Sequence, residues 1–266
     1  NIEQYRHHLQ NKGFKPRTIA LKLTVVRRLY DAAIKLGWVS FNPAINVKPP
    51  VSRKQPATNN NYLSEQEAQK LISYLPDDNS LVGLRDRLLV SLMVICGVRQ
   101  IELHRLTKQD IIPKDDGSVG LKLFAKRSER VIPLPSDVIE LLDRYLTARE
   151  NDARQKKEIK FNKQSPVFIS LASNYYGNPL SRRAMQRIAN RYLEEAQLKE
   201  SESRTVTTHG LRHTVGYLMT LAGNSLRTIQ DYLGHADPKT TAIYAHIADL
   251  WENNPATTIN LRLRAT

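Results

Sequence analysis

A chain of 266 residues with 41% hydrophobic residues can bury a sizeable core, either as one large domain or as a small domain joined to a larger one. Forty Lys and Arg stand against twenty-six Asp and Glu, a formal net charge of +14, which favours a polyanionic partner held by phosphate contacts and counterion release, although charge alone also fits a ribosomal or membrane-surface protein. The single cysteine, Cys96, excludes an internal disulfide or cysteine-rich metal site and reads as a small buried hydrophobe, while no apolar stretch reaches the ~18 residues of a membrane span and the opening residues lack the charged-then-apolar layout of a signal peptide. A soluble cytoplasmic protein is expected.

In chain order, residues 2–12 carry Ile2, Tyr5 and Leu9 at helical spacing and stop at Gly13. Pro16 opens a second helical run with Ile19, Leu23, Val26, Leu29 and Ala33, closed by Gly37. Because the chain opens at Asn1, already at the edge of a helical pattern, the first domain is expected to lack residues upstream. Asn42-Pro43 marks a turn, and residues 48–61 are rich in proline, polar and basic side chains without periodicity, as a linker is. The expected organisation is a helical domain over 1–47, a basic linker over 48–61, and a second domain over 62–266.

Ser64 and Glu67 form a capping box that opens a helix ending at Pro76. Leu81 to Cys96 reads as a buried helix stopped by Gly97, and Val119–Phe124 and Arg130–Leu134 flank a polar turn as a hairpin would. Further helices are expected from the capping residues Ser136, Ser181, Thr208, Ser225 and Asp237, the last with Pro238 at the first helical position. The fold class is mainly α with a small antiparallel β-sheet.

With Thr208 as cap, His209 and Arg212 share one face at the positive end of a helix, where a phosphate would bind. A surface ion pair for Arg212 and a satisfied polar His209 are the alternatives. Farther on, His235 follows the helix-ending Gly234, and a capped helix then presents Tyr244 between Ile243 and Ile247, either as a hydroxyl for chemistry or as a core aromatic. A tyrosine with a pKa of about 10 is a poor nucleophile at neutral pH. Its attack on a phosphodiester needs arginines for the phosphoryl charge and a proton-handling group.

These residues resemble the C-terminal motifs of the tyrosine recombinases, also called the phage integrase family: G-L-R-H-T after His209, L-G-H at 233–235, and T-x-x-Y-x-H at 241–246. Upstream, Cys96 to Leu103 is similar to the family's G-[LV]-R-x-x-E-L, which places its first catalytic arginine at Arg99 and its acidic residue at Glu102. Residues 122–134 resemble the family's β-hairpin, whose G-K-G-x-K-x-R is here A-K-R-S-E-R, one residue shorter; Lys126 is the match, with Arg127 and Lys122 as alternatives. Thr18 with its helix and the G-W-V-S-F-N-P-A of 37–44 are similar to the family's core-binding domain.

The resemblance implies a core-binding helical domain followed by a catalytic domain. Arg99 and Arg212 would bind the nonbridging oxygens of the scissile phosphate, oriented by Glu102. His209 would assist proton transfer at the nucleophile Tyr244, His235 would hydrogen-bond a phosphoryl oxygen, and Lys126 would protonate the departing 5′ oxygen. No metal and no nucleotide cofactor are expected. The partners would be a double-stranded DNA recombination site and further copies of the chain in a homotetramer on the nucleoid. His213 and His246 read as supporting or surface histidines, and the tail through Leu263 as packing on a neighbouring protomer, on its own domain, or as a loose end.

Lys15, Arg17, Lys22, Arg27, Arg28, Lys48, Arg53, Lys54, Arg182, Arg183 and Arg187 are candidates for phosphate and base-edge contacts, or are simply solvated charge. The rival readings are a type IB topoisomerase-like enzyme that relaxes supercoils, a catalytically silent DNA-binding protein on the same scaffold, and a basic RNA-binding protein.

Overall fold

A computed structural model describes residues 1–50, 61–124, 129–156, 161–201 and 204–234, and divides the chain into two compact units, Asn1–Thr58 and Asn59–Thr266. In the first unit, α1 (Ile2–Asn11) and α2 (Pro16–Lys35) pack through Leu9, Ile19 and Leu23, joined by Val47. Pro16 stands in the first turn of α2, where its missing N–H costs nothing. The helical spacing placed Leu29 on the buried face. It is instead 65% exposed, because it stands four residues on from Val25 and eight from Leu21, on a stripe turned away from the Ile19 and Leu23 that pack inward.

The N-P-A turn is tied back to α2. Asn42 Nδ2 donates to the Arg27 carbonyl and to Asp31, and Arg27 Nε and a terminal nitrogen donate to the carbonyls of Ala44 and Val47. These bonds give buried polar groups their partners in a unit with few apolar contacts.

The second unit is built around α4 (Leu81–Val94), which is buried on nearly every side and packs Leu88, Leu89, Leu92 and Met93 into the core. It follows α3 (Glu65–Ser73), whose Ser64 and Glu67 form the expected reciprocal capping box. Both helices end earlier than their sequence patterns implied, at Ser73 and Val94. Cys96 is buried, and burial pushes its thiol up to about 12, as an inert core residue requires.

Next come α5 (Gln100–Arg105) and a sheet of three antiparallel strands, β1 (Ile111–Pro113), β2 (Val119–Phe124) and β3 (Glu129–Pro133), in the order β1-β2-β3. The hairpin pairs Phe124 with Glu129 and Leu123 with Arg130. Leu121, Leu123 and Ile132 turn inward into the core. Strand β1 and helix α5 were not expected; three and six residues are too short for a period to show.

Then follow α6 (Ser136–Lys156), α7 (Arg182–Glu195), α8 (Thr208–Leu221) and α9 (Leu226–Leu233), with α6, α7 and α8 packed against α4. Ser181 and Ser225 cap α7 and α9 as expected, whereas the cap of α8 is Thr207, whose side chain accepts from Gly210 N. Buried Asp86 accepts from Arg85 at 2.9 Å and Arg191 at 2.8 Å, fixing α7 on α4. The helix expected from Asp237 lies outside the described residues. Among the described residues, no helix is long and apolar enough to cross a membrane.

Candidate active site

Three helix ends meet beside the core. Helix α4 finishes at Val94, and Gly97 turns the chain with φ +63°; a Cβ there would also come within 2.8 Å of Leu233. Only glycine satisfies both demands. The turn delivers Arg99 to the start of α5, where its backbone N–H donates to Glu102 Oε2 at 2.9 Å and its guanidinium to Oε1 at 2.9 Å.

The second end is that of α9. Tyr232, Leu233 and Gly234 would leave their carbonyls without helical partners. Each accepts instead from a different arginine: Tyr232 from Arg130 Nε at 2.8 Å, Leu233 from Arg212, and Gly234 from Arg99 at 2.6 Å. Cations at a helix C-terminus also meet the negative end of its dipole.

The third end is the first turn of α8. Arg212 is only 1% exposed, and its other terminal nitrogen donates to Gly97 O at 2.6 Å. His209 lies one turn earlier, and its ring centroid is 4.4 Å from that of His213. Burial, with Arg212 and Arg99 nearby, holds His209 below the usual histidine range, and burial, His209 and Arg212 push His213 down to about 4. Both rings are neutral at pH 7.

The segment entering α3 runs over this turn. Leu63 N donates to Thr214 Oγ1 at 2.9 Å, the Tyr62 ring packs on Tyr217 at 4.4 Å, and Arg204 donates to Tyr62 O at 2.7 Å. A Cβ on Gly210 would fall 2.2 Å from the Asn61 carbonyl. Gly210 and Thr214 of the T-H-G-L-R-H-T run therefore receive the segment that follows the linker.

Four of the expected residues, Arg99, Glu102, His209 and Arg212, thus come together from α5 and α8. Lys126, His235 and Tyr244 lie outside the described residues, as do Arg53 and Lys54. Lys122, an alternative for the lysine, pairs with Glu129 at 3.2 Å. Lys15, Arg17, Arg28, Arg182, Arg183 and Arg187 are exposed, and Lys22 sits over the Phe14 ring. Lys48 lends its carbonyl to Arg6. Arg27 is turned inward on the Ala44 and Val47 carbonyls, a tie of its own unit where the charge pattern had placed a phosphate contact.

Arg130 was missed as a site residue. It places its terminal nitrogens on the two oxygens of Glu102 at 2.7 and 3.0 Å. The signal was present: it is the last residue of A-K-R-S-E-R, at the position of the arginine in the family's hairpin motif.

The sequence profile described as the phage integrase family matches residues 61–250, which span every element of this site. The chain belongs to the phage integrase family. Tyrosine recombinase XerC of Chlorobaculum parvum is 30% identical over 264 residues, covering 93% of this chain and 74% of that protein. XerC of Halalkalibacterium halodurans is 30% identical over 248 residues, with coverage of 92% and 76%. Among solved structures, the XerA recombinase is 25% identical, covers 98% of this chain and 82% of its own, and superposes with a TM-score of 0.56. The XerH recombinase on its palindromic difH substrate has a TM-score of 0.63 at 24% identity over 79% of this chain, which spans 56% of that chain. Membership makes the chain a tyrosine-type site-specific recombinase, an α-helical catalytic fold with a small antiparallel sheet.

Proposed function

We propose that this recombinase cleaves and rejoins DNA at a specific duplex site through a 3′-phosphotyrosyl intermediate on Tyr244, and exchanges strands by way of a Holliday junction. The observation that carries the reading is the joint anchoring of Arg99 and Arg212. Both guanidinium groups hold consecutive carbonyls at the end of α9, so two cations are fixed at one place beside a neutral His209. Preorganised cations stabilise charge developing on phosphoryl oxygens without reorganising during the reaction.

In this reading Arg99 and Arg212 take the two nonbridging oxygens, and Glu102 orients Arg99. His209 accepts the tyrosine proton as the Tyr244 Oη–P bond forms, and His235 hydrogen-bonds a phosphoryl oxygen. As the P–O5′ bond breaks, the electron pair passes to O5′, which Lys126 protonates. The phosphotyrosyl ester conserves the energy of the broken bond, so a 5′ hydroxyl from a partner duplex reverses the step and no nucleotide cofactor is required.

The XerH and λ integrase structures hold their recombinases on a difH substrate and on a COC′ core site. By analogy the partner here is double-stranded DNA, with residues 1–47 as core-binding domain, 62–266 as catalytic domain, and a homotetramer as the synaptic assembly. The exposed basic residues of α2 and α7 are the proposed backbone contacts.

Covalent trapping tests the reading. The protein is incubated with a nicked duplex pool drawn from the flanks of its own gene and then denatured. A protein–DNA adduct in the parent and none in Tyr244→Phe is expected. An adduct that survives Tyr244→Phe names the wrong tyrosine, and duplex binding without any adduct makes the chain a silent binder.

A further inference from the structure

We infer that Arg130 is a positioning residue for the leaving-group side of the reaction: it locks the root of the β2–β3 hairpin onto the two elements that hold the phosphate. The inference rests on the reading of Lys126 as the proton donor, because that residue belongs to the four that join β2 to β3.

Strand β3 is at the edge of the sheet, bonded to β2 alone. Among the described residues beside the turn, Phe124 and Glu129 are exposed and Val131 faces solvent. The described residues nearest the turn that reach the rest of the unit are Leu123, in the core, and its register partner Arg130. All three nitrogens of the Arg130 guanidinium are used: Nη1 and Nη2 on the Glu102 carboxylate and Nε on Tyr232 O. Glu102 in turn holds Arg99, and the next two carbonyls after Tyr232 hold Arg212 and Arg99.

A mere counter-ion for Glu102 would need one cation, and Arg99 already supplies it. The bidentate fork plus the third bond to Tyr232 fixes direction as well as charge, which a lysine cannot reproduce. The strand that leads to the proton donor is therefore referenced to the same carboxylate and the same helix end as the phosphate-binding arginines. Proton transfer to a leaving oxygen requires such registration, because an error of about 1 Å can cost about 100-fold in rate.

The test separates protonation of the leaving group from binding of the phosphate. Once trapping has mapped the cleavage position, two nicked duplexes are made, with oxygen or sulfur as the 5′ bridging atom. A thiolate, whose acid has a pKa of about 8.5, departs without a proton, whereas an alkoxide needs one. Arg130→Met, Arg130→Lys and Lys126→Ala are compared with the parent in single turnover, with thermal melting as the check on folding. Arg130→Lys keeps a cation opposite Glu102 and serves where the methionine variant is unfolded.

The Arg130 variants are expected to cleave the oxygen duplex about 100-fold more slowly than the parent and to recover most of that loss on the sulfur duplex. Equal losses on both duplexes, with Lys126→Ala recovering on sulfur, overturn the inference and leave the Lys126 reading standing. Recovery by the Arg130 variants without recovery by Lys126→Ala supports the hairpin role and moves the donor to another residue. If neither recovers, both the inference and the Lys126 reading fail.

Discussion

Both carboxylate oxygens of Glu102 accept from the guanidinium fork of Arg130, at 2.7 and 3.0 Å, and the same two oxygens also accept from Arg99. Burial would raise this carboxyl, but the hydrogen bonds and charges of Arg130 and Arg99 outweigh it and hold Glu102 below the usual carboxylate range. A depressed carboxylate contributes stability that is complete above its unfolded pKa of about 4.3 and is lost as pH falls through the folded value. Removing one partner of a buried pair is costly, so Glu102→Gln is expected to lower stability by about 3 kcal/mol at neutral pH. Urea unfolding of parent and variant should show that gap narrowing below about pH 4. A gap independent of pH would mean that the carboxylate charge is not what holds the two arginines.

The neighbouring histidines lose stability in the same direction, but at higher pH and because burial and nearby cations disfavour their charged form. His209 and His213 are both depressed, so the two rings stay uncharged in the folded chain at pH values where the unfolded chain protonates them. Stability is then fully present above about pH 6.5 and declines as pH falls through the window toward the folded values. For activity the consequence is a base that survives mild acid. Adduct formation in single turnover is expected to keep its neutral-pH rate down to about pH 6.5 and to lose it only below. An acid limb centred above that point would remove His209 from the role of proton acceptor.

Residues 61–63 and the first turns of α8 were coupled in no sequence pattern, yet they touch at two backbone positions. Gly210→Ala ordinarily favours a helix by about 1 kcal/mol. Here the new methyl would meet the Asn61 carbonyl at 2.2 Å, a backbone atom that cannot rotate away. A net destabilisation of about 1–3 kcal/mol is expected, with slower adduct formation as α8 or the entering segment shifts. A gain in melting temperature would show that the segment yields freely.

Thr214→Val tests the same contact from the hydrogen-bonding side. It leaves the buried Leu63 N–H without its acceptor, at a cost of about 1–3 kcal/mol, whereas Thr214→Ser retains the oxygen. Serine should restore both the unfolding midpoint and the adduct rate. A Thr214→Val variant as stable as the parent would show that the hydroxyl holds nothing, and a loss confined to Thr214→Ser would trace the effect to the methyl instead.

The sequence was most informative where an element obeys a local rule. The Ser64–Glu67 capping box, the buried α4 and the β2–β3 hairpin could be read directly, because caps and periods depend on neighbours a few residues apart. His209 and Arg212 were legible from their helical spacing, and Arg99 and Glu102 through the resemblance to a family motif; the structure brings the four to one place. The reason they meet was not legible. It lies in the carbonyls of Tyr232, Leu233 and Gly234, and a backbone carbonyl has no letter in the sequence. Arg130 and Arg27 show the same limit from two sides. One looked like an ordinary strand residue and holds the site, while the other looked like a DNA contact and holds a turn, since a charge's partner is set by the fold.

Arg212 is the residue whose exact chemistry matters most. Its guanidinium is buried and spans from Gly97 O on one side to Leu233 O on the other. A lysine keeps the charge but has one compact ammonium on a flexible stem, which cannot hold both carbonyls and still face a phosphate. Arg212→Lys is therefore expected to slow adduct formation by about 100-fold or more, the scale of losing one preorganised donor. Duplex binding should keep its dependence on salt, because the number of cations facing the backbone does not change. Measuring both on the nicked duplex separates the two roles. A fall in affinity that tracks the fall in rate would make Arg212 a general phosphate contact, and an intact affinity beside a lost rate would place its contribution in the transition state.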